Sequence, residues 1–288
     1  MGLEIVQLAF YGLVLGSIIA LGAIGVSLTF GILGFANFAH GDFMALGAYV
    51  AFLVYVQLAF PFWLAVPLAM VATAAIAVAI DRTLFRRFRT RPPVILLISS
   101  FGVALILRAL IQLIWGPDTQ LYETGLQLAQ RWMGIRYQIR HLYIIGGALL
   151  LVTAVHLFLS RTKQGKAMRA MADNPTLARL SGIDTERVVI WTWIIGGSLA
   201  AAAGIFLGMD TRLQPDMGWF ILLAVFAAAI LGGIGKPYGA IVGGYVIGMV
   251  MEFSTLFLPN QYTPVVPFAI MVIMLIVRPT GLFGGRSS

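Results

Sequence analysis

Apolar runs of about 17 to 25 residues follow one another along nearly the whole chain, and that pattern excludes most folds. Residues 142–159, for example, are apolar on every side, so no face of that run is kept for water. Such a run belongs in a bilayer, where a helix satisfies its own backbone groups and a closed barrel is the other solution. A barrel strand would be short and would alternate apolar with polar residues, which these runs do not. The expected fold class is therefore all-α, a polytopic helical membrane protein with about eight to ten transmembrane segments, some interrupted. With 60% hydrophobic and 10% charged residues in a chain of 288, no soluble catalytic domain fits, and 1–288 reads as one transmembrane domain.

Charge placement sets the expected topology. The net charge of +8 invites a nucleic-acid reading, but the basic residues sit in short segments between spans, where orientation in the membrane explains them. No nucleic-acid partner is expected. Arg82, Arg86, Arg87, Arg89 and Arg91 crowd one such segment, read as a loop over 81–93, and put it on the cytoplasmic side. The first ten residues lack the basic region of a cleavable signal peptide and lead into a first span over 5–29. Small residues at Gly12, Gly16, Ser17, Ala20 and Gly25 suit that span to the bundle interior. The external run 116–140 is mixed in charge, from Asp118 and Glu123 to Arg140, and a glycine-rich tail with Arg286 closes the chain. Counted through, the N-terminus lies outside and the C-terminus inside.

Polar features in the apolar runs are the candidate functional residues. The stretch 30–47, FGILGFANFAHGDFMALG, sets Asn37, His40 and Asp42 among glycines that include Gly34 and Gly41. A broken helix fits it, since irregular backbone at membrane depth is tolerated only in protein or beside a cavity. Three readings stand open: a functional polar site, an interfacial loop, or a structural His40–Asp42 contact pinning two helices. A second glycine-broken stretch, 232–244, lies in the other half of the chain, and paired interruptions point to a transport site between repeats. Arg108, inside the fourth run, is expected to snorkel outward.

The longest polar island is 160–187. Within it 165–172 forms a short amphipathic helix, with Ala167, Met168, Ala170 and Met171 on or near one face. Asn174-Pro175 breaks it, 176–180 forms a second helix, and Ser181-Gly182 stops that one. The result is a compact knob for a soluble partner, or else a solvated basic loop that only sets topology.

Enzyme chemistry finds little support. The histidines are His40, His141 and His156, without an HExxH motif or clustered carboxylates, so neither a metal nor another cofactor is expected. Absence of cysteine excludes disulfides and thiolate chemistry. No GxSxG elbow and no GxxxxGK[ST] loop occurs, so ATP hydrolysis, if used, comes from another subunit docked on the knob. A channel or secondary transporter would need no such subunit; Glu252 and Arg108 are slender support for it.

Three ordered blocks carry a resemblance that covers essentially the whole chain. GILGFANFAHGDFMALGAYV, preceded by LGSIIALGAIGVSLTF, resembles the N-terminal signature of the branched-chain amino acid ABC permeases. GKAMRAMADNPTLARLSGIDTERV, running into TWIIGGSLAAAAGIFLG, resembles that family's coupling segment, and LGGIGKPYGAIVGG its third block. The resemblance implies an inner-membrane subunit of an ATP-driven importer of leucine, isoleucine and valine. It implies as partners a second homologous permease, two ATP-binding cassettes and a periplasmic binding protein. Gly165, Arg169, Ala170, Asn174, Ala178, Gly182 and Ile183 match the coupling motif, whereas Met168, Met171 and Pro175 depart from it. Asn37, His40 and Asp42, with Gly34 and Gly41, would line the substrate path. Permeases for urea and short amides share the first block, so they stand as the alternative cargo class.

Overall fold

The computed structural model describes residues 2–122, 130–132 and 134–284; Glu123 and Arg286 lie outside them. Among the described residues six helices are long and apolar enough to cross a membrane: α1 Gly2–Leu33, α2 Ala39–Gln57, α3 Phe62–Phe88, α4 Pro93–Trp115, α5 Ile139–Arg161 and α8 Thr185–Asp210. Between α5 and α8 lie the short helices α6 Lys163–Asp173 and α7 Pro175–Leu180. The chain then closes with α9 Met217–Gly232, α10 Pro237–Ser254 and α11 Val265–Val277. A small antiparallel hairpin, β1 Gln130–Trp132 and β2 Ile135–Tyr137, stands outside the bundle. The expected all-α architecture with interrupted helices is the one observed.

Helix α1 is the axis of the bundle. Its most apolar window is 83% buried, against 17% for α5, whose apolar faces point away from the subunit. Burial follows from small residues. A Cβ built on Gly248 of α10 would lie 2.4 Å from the Cα of Gly16, and one on Gly244 would lie 2.5 Å from the Cα of Ala20. Backbone therefore rests on backbone along the α1–α10 seam, which maximises dispersion contact where no hydrophobic effect draws helices together.

The first glycine break lies within the bundle. Gly34, at φ +74°, ends α1 in a conformation that L side chains rarely adopt. Residues 34–38 then reverse the chain, with Asn37 Oδ1 accepting from the Ala39 amide at 3.1 Å and Ser100 Oγ accepting from the Phe38 amide at 3.1 Å. Helix α2 thus starts beside Gly25 rather than beyond the end of α1. The second break, at residues 233–236, meets the first half of the chain: a Cβ on Gly31 would fall 2.7 Å from the Cα of Gly235.

Two boundaries carry polar residues into helix. The stretch 30–47 is broken only at its middle: the second span is helical from Ala39, because its glycine-rich start packs as helix against α9. The third run does not end in a loop at Asp81; a π-helical turn, Asp81–Phe85, carries the helix on to Phe88. The extra turn buries Phe85 against Trp193, with parallel rings 5.3 Å apart. It also brings the buried Asp81 carboxylate onto Arg89, which reaches Glu186 Oε1 at 2.8 Å. A buried carboxylate needs such a partner.

Replacing Gly248 with valine is expected to open the α1–α10 seam at a cost of about 1–3 kcal/mol. A lowered thermal midpoint of the purified protein in detergent, next to an unaffected Gly2→Val control at an open position, checks it.

Candidate functional site

The polar island is built from caps and one tight contact. Thr162 Oγ1 accepts from the Gly165 amide at 2.9 Å and starts α6. Gly165 sits on the end of α5 so closely that a Cβ would lie 2.2 Å from the Phe158 carbonyl oxygen. Met168 and Met171 turn inward and are buried, so the departures from the coupling motif at these positions are core residues. Asn174 Oδ1 accepts from the Leu177 amide at 3.0 Å, and Pro175 occupies the first turn of α7, where its missing amide costs nothing. Gly182, at φ +78°, ends α7, and the Ile183 amide donates to the Ala178 carbonyl at 3.1 Å. The knob is a folded unit rather than a loose loop.

Its motif residues divide by role. Gly165 and Ala178 are buried packing positions, Asn174 and Gly182 make the turns, Ala170 and Ile183 are half-buried, and Arg169 is exposed. The exposed apolar tip comes from residues the sequence reading did not single out, Leu177 at 59% and Leu180 at 80% exposure. Leucines on a short, well-capped helix in a polar island were the available signal. On the other side, Lys236 Nζ lies 3.1 Å from Asp173 Oδ1 and ties the end of α6 to the second glycine break. Beneath that ion pair is a cavity of about 200 Å³ lined by Ser27, Gly31, Met168, Arg169 and Gly235.

The second candidate is the start of α2. Asn37, His40 and Asp42 are all buried within the subunit. Consecutive residues point to different helices, as a turn of about 100° per residue requires. The His40 ring packs on α1, where a Cβ on Gly25 would lie 2.7 Å from Cε1. Gly41 abuts α9, a Cβ there falling 2.4 Å from the Gly218 carbonyl oxygen. Asp42 faces α4, where Arg108 Nε donates to Oδ1 at 3.1 Å and Nη2 to Oδ2 at 3.3 Å. No His40–Asp42 contact forms, because two residues apart on a helix they point in opposing directions. Nor does Arg108 snorkel: its guanidinium folds back onto Asp42 and lies 5.2 Å from the centroid of Trp219. An unpaired carboxylate at this depth would cost more than the arginine gains by reaching for the interface.

At the end of the bundle opposite the knob, Glu252 does not pair with Arg108. With Tyr11, Arg140, His141 and Asp210 it lines a cavity of about 290 Å³, and His141 Nε2 stands 3.5 Å from Asp210 Oδ1. Among the described residues no three His, Cys, Asp or Glu side chains group as a metal site.

A bundle of interrupted, glycine-packed helices with a folded polar knob at one end defines a multi-pass membrane permease. Residues 8–275 match the family described as branched-chain amino acid transport system, permease component, and the chain belongs to it. It is 34% identical to the high-affinity branched-chain amino acid transport system permease protein LivH of Escherichia coli, over 98% of this chain and 96% of that protein. It is 33% identical to the corresponding protein BraD of Pseudomonas aeruginosa, over 95% and 94%. The permease LivM of Salmonella typhimurium is 26% identical over 90% of this chain and 66% of that protein. Among solved structures, PsaBC from Streptococcus pneumoniae in complex with Fab superposes with a TM-score of 0.53 over 95% of this chain and 92% of that one; at 11% identity the likeness is one of fold.

Asp42→Asn leaves the Arg108 charge without its partner and is expected to destabilise the protein by about 3–5 kcal/mol. Unfolding of the variant and wild type in nanodiscs, followed by intrinsic tryptophan fluorescence, measures the difference.

Proposed function

We propose that this chain is the permease subunit of an ATP-driven importer that carries branched-chain amino acids across a bacterial inner membrane. The observation that carries the reading is the knob: a capped, rigid helix pair with an apolar tip at Leu177 and Leu180, latched through Asp173–Lys236 to a break in the bundle. An ATP-binding cassette seats on that tip, and hydrolysis resides in the cassette rather than in this chain. A second homologous permease completes the pathway, and the LivM relative is the kind of partner that fits; a periplasmic binding protein delivers the substrate. The N-terminus is then periplasmic, and the arginine-rich end of α3, the knob and the C-terminus are cytoplasmic.

Alternating access follows from the mechanical connections. Closure of the cassettes displaces α6–α7, and the Asp173–Lys236 latch passes the displacement to residues 233–236, which touch Gly31 at the end of α1. Glycine breaks absorb the backbone change. Asn37, His40 and Asp42, with Gly34 and Gly41, border the path by holding the start of α2 within the membrane. Substrate polar groups need partners as they cross, since each left unpaired costs roughly 2–7 kcal/mol.

Reconstitution with co-expressed cassettes, second permease and binding protein tests the reading. Wild type is expected to take up leucine, and not urea, only with ATP; urea uptake in its place would move the chain to the amide importers. Leu180→Asp and Arg169→Glu are each expected to lose the cassettes on purification and to cut ATP-driven uptake at least about tenfold, with membrane insertion intact. Uptake by both variants at the wild-type rate would remove the knob from the mechanism.

The latch carries its own expectation. Asp173→Lys places two cations together and uncouples ATP hydrolysis from uptake, whereas the exchange Asp173→Lys with Lys236→Asp restores coupling. The ratio of leucine transported to ATP hydrolysed is the readout.

A further inference from the structure

Arg108 holds a charge near the centre of the bilayer and does not spend all of its donors on Asp42. On α4 it lies four residues beyond the middle residue, Ala104, or about 6 Å at 1.5 Å per residue. Nε and Nη2 are committed to the Asp42 carboxylate, and Nη1 has no partner among the described residues. The Asp42 side chain is 1% exposed while that of Arg108 is 20% exposed, so the pair shows its cationic end at the surface of the subunit.

That surface is apolar up to where the guanidinium interrupts it. Phe101, Leu105, Arg108 and Gln112 succeed one another at helical spacing on one exposed or half-exposed face of α4. A guanidinium at this depth requires protein or water in front of it rather than acyl chains. Next to the guanidinium stands an aromatic wall. Trp219 lies 5.8 Å from Phe101 and 6.5 Å from Phe38, centroid to centroid. A fork of N–H donors beside apolar rings matches an α-carboxylate attached to a branched aliphatic side chain.

We propose that Arg108 is a recognition residue of the translocation path, binding the substrate α-carboxylate through Nη1, while Phe38, Phe101 and Trp219 receive the aliphatic side chain. Asp42 acts as a positioning residue: it holds the guanidinium plane so that the free edge faces the path. The assignment rests on the importer reading above and deepens it by giving the substrate a station at mid-membrane.

Two arms test it, both in the complete importer. In proteoliposomes, Arg108→Gln and the neutral pair Asp42→Asn with Arg108→Gln are compared with wild type for ATP-driven leucine uptake. The neutral pair removes the buried charge altogether, so a merely structural ion pair predicts recovery of uptake. Carboxylate recognition predicts a loss of at least about tenfold in both variants, with all subunits still co-purifying. Recovery of wild-type uptake by the neutral pair overturns the assignment. The second arm needs no substitution. Phenylglyoxal modification of Arg108 in the wild-type complex, read by peptide mass spectrometry, is expected to slow several-fold in millimolar leucine and not in leucinamide, which lacks the carboxylate. Equal protection by both compounds, or by neither, also overturns it. Failure of wild type to import leucine at all brings down the importer reading and this assignment together. Import by wild type with either overturning result removes Arg108 alone.

Discussion

Helices in hydrocarbon gain nothing by leaving one apolar surrounding for another, so this bundle depends on how closely its backbones approach. The α1–α10 seam is the clearest case. Gly16 and Gly248 leave no space for a side chain on either helix, and Gly12 and Gly244 extend the contact along α1. The same device seats α2: Gly41 rests on Gly218, and Gly47 on Ala201. With those contacts made, the start of α2 is held inside the bundle, and the polar residues at 37, 40 and 42 are enclosed by protein. The interruption of the helix and the close packing are one feature, since the break places a helix where only glycine lets it fit.

Charge in the membrane follows from that packing. Asp42 is tolerable because the α2 start lies against α4, where Arg108 meets it with two hydrogen bonds. At the knob end of the bundle, Asp81, Arg89 and Glu186 form a second network joining the α3 extension to the start of α8. A third pair, Asp173–Lys236, joins the knob to the glycine break. The first buries its carboxylate and shows only its cationic end, the second is buried at Asp81 and open at Glu186, and the third is open to solvent. An exposed pair contributes little to stability and can rearrange, which suits a connection that transmits movement.

Much of this arrangement was legible in the residues. Span positions came from apolar length, the breaks from glycine, and the knob from its caps: Asn174 and Pro175 begin one helix and Gly182 ends it, as the local chemistry of those residues dictates. The three family blocks were readable for the same reason, each being a run of neighbouring residues. Less legible was everything that depends on direction. His40 and Asp42 are close in sequence and invite pairing, yet the helix turns them to opposite partners. Arg108 looked like a snorkelling residue because its carboxylate lies 66 positions away. Met168 and Met171 were readable only as one face of an amphipathic helix and are core, while Leu177 and Leu180 form the exposed tip.

Local composition by itself determined the membrane class, the segment order, the helix breaks and the folded island, because each arises from a residue's own preference or its immediate neighbours. Tertiary structure decided which glycine meets which backbone, which acid meets Arg108, and which side of the knob faces outward. Those outcomes depend on helix rotation and on contacts between distant segments, and in a bilayer, where nearly every helix is apolar on all sides, amphipathic periodicity does not mark the buried face.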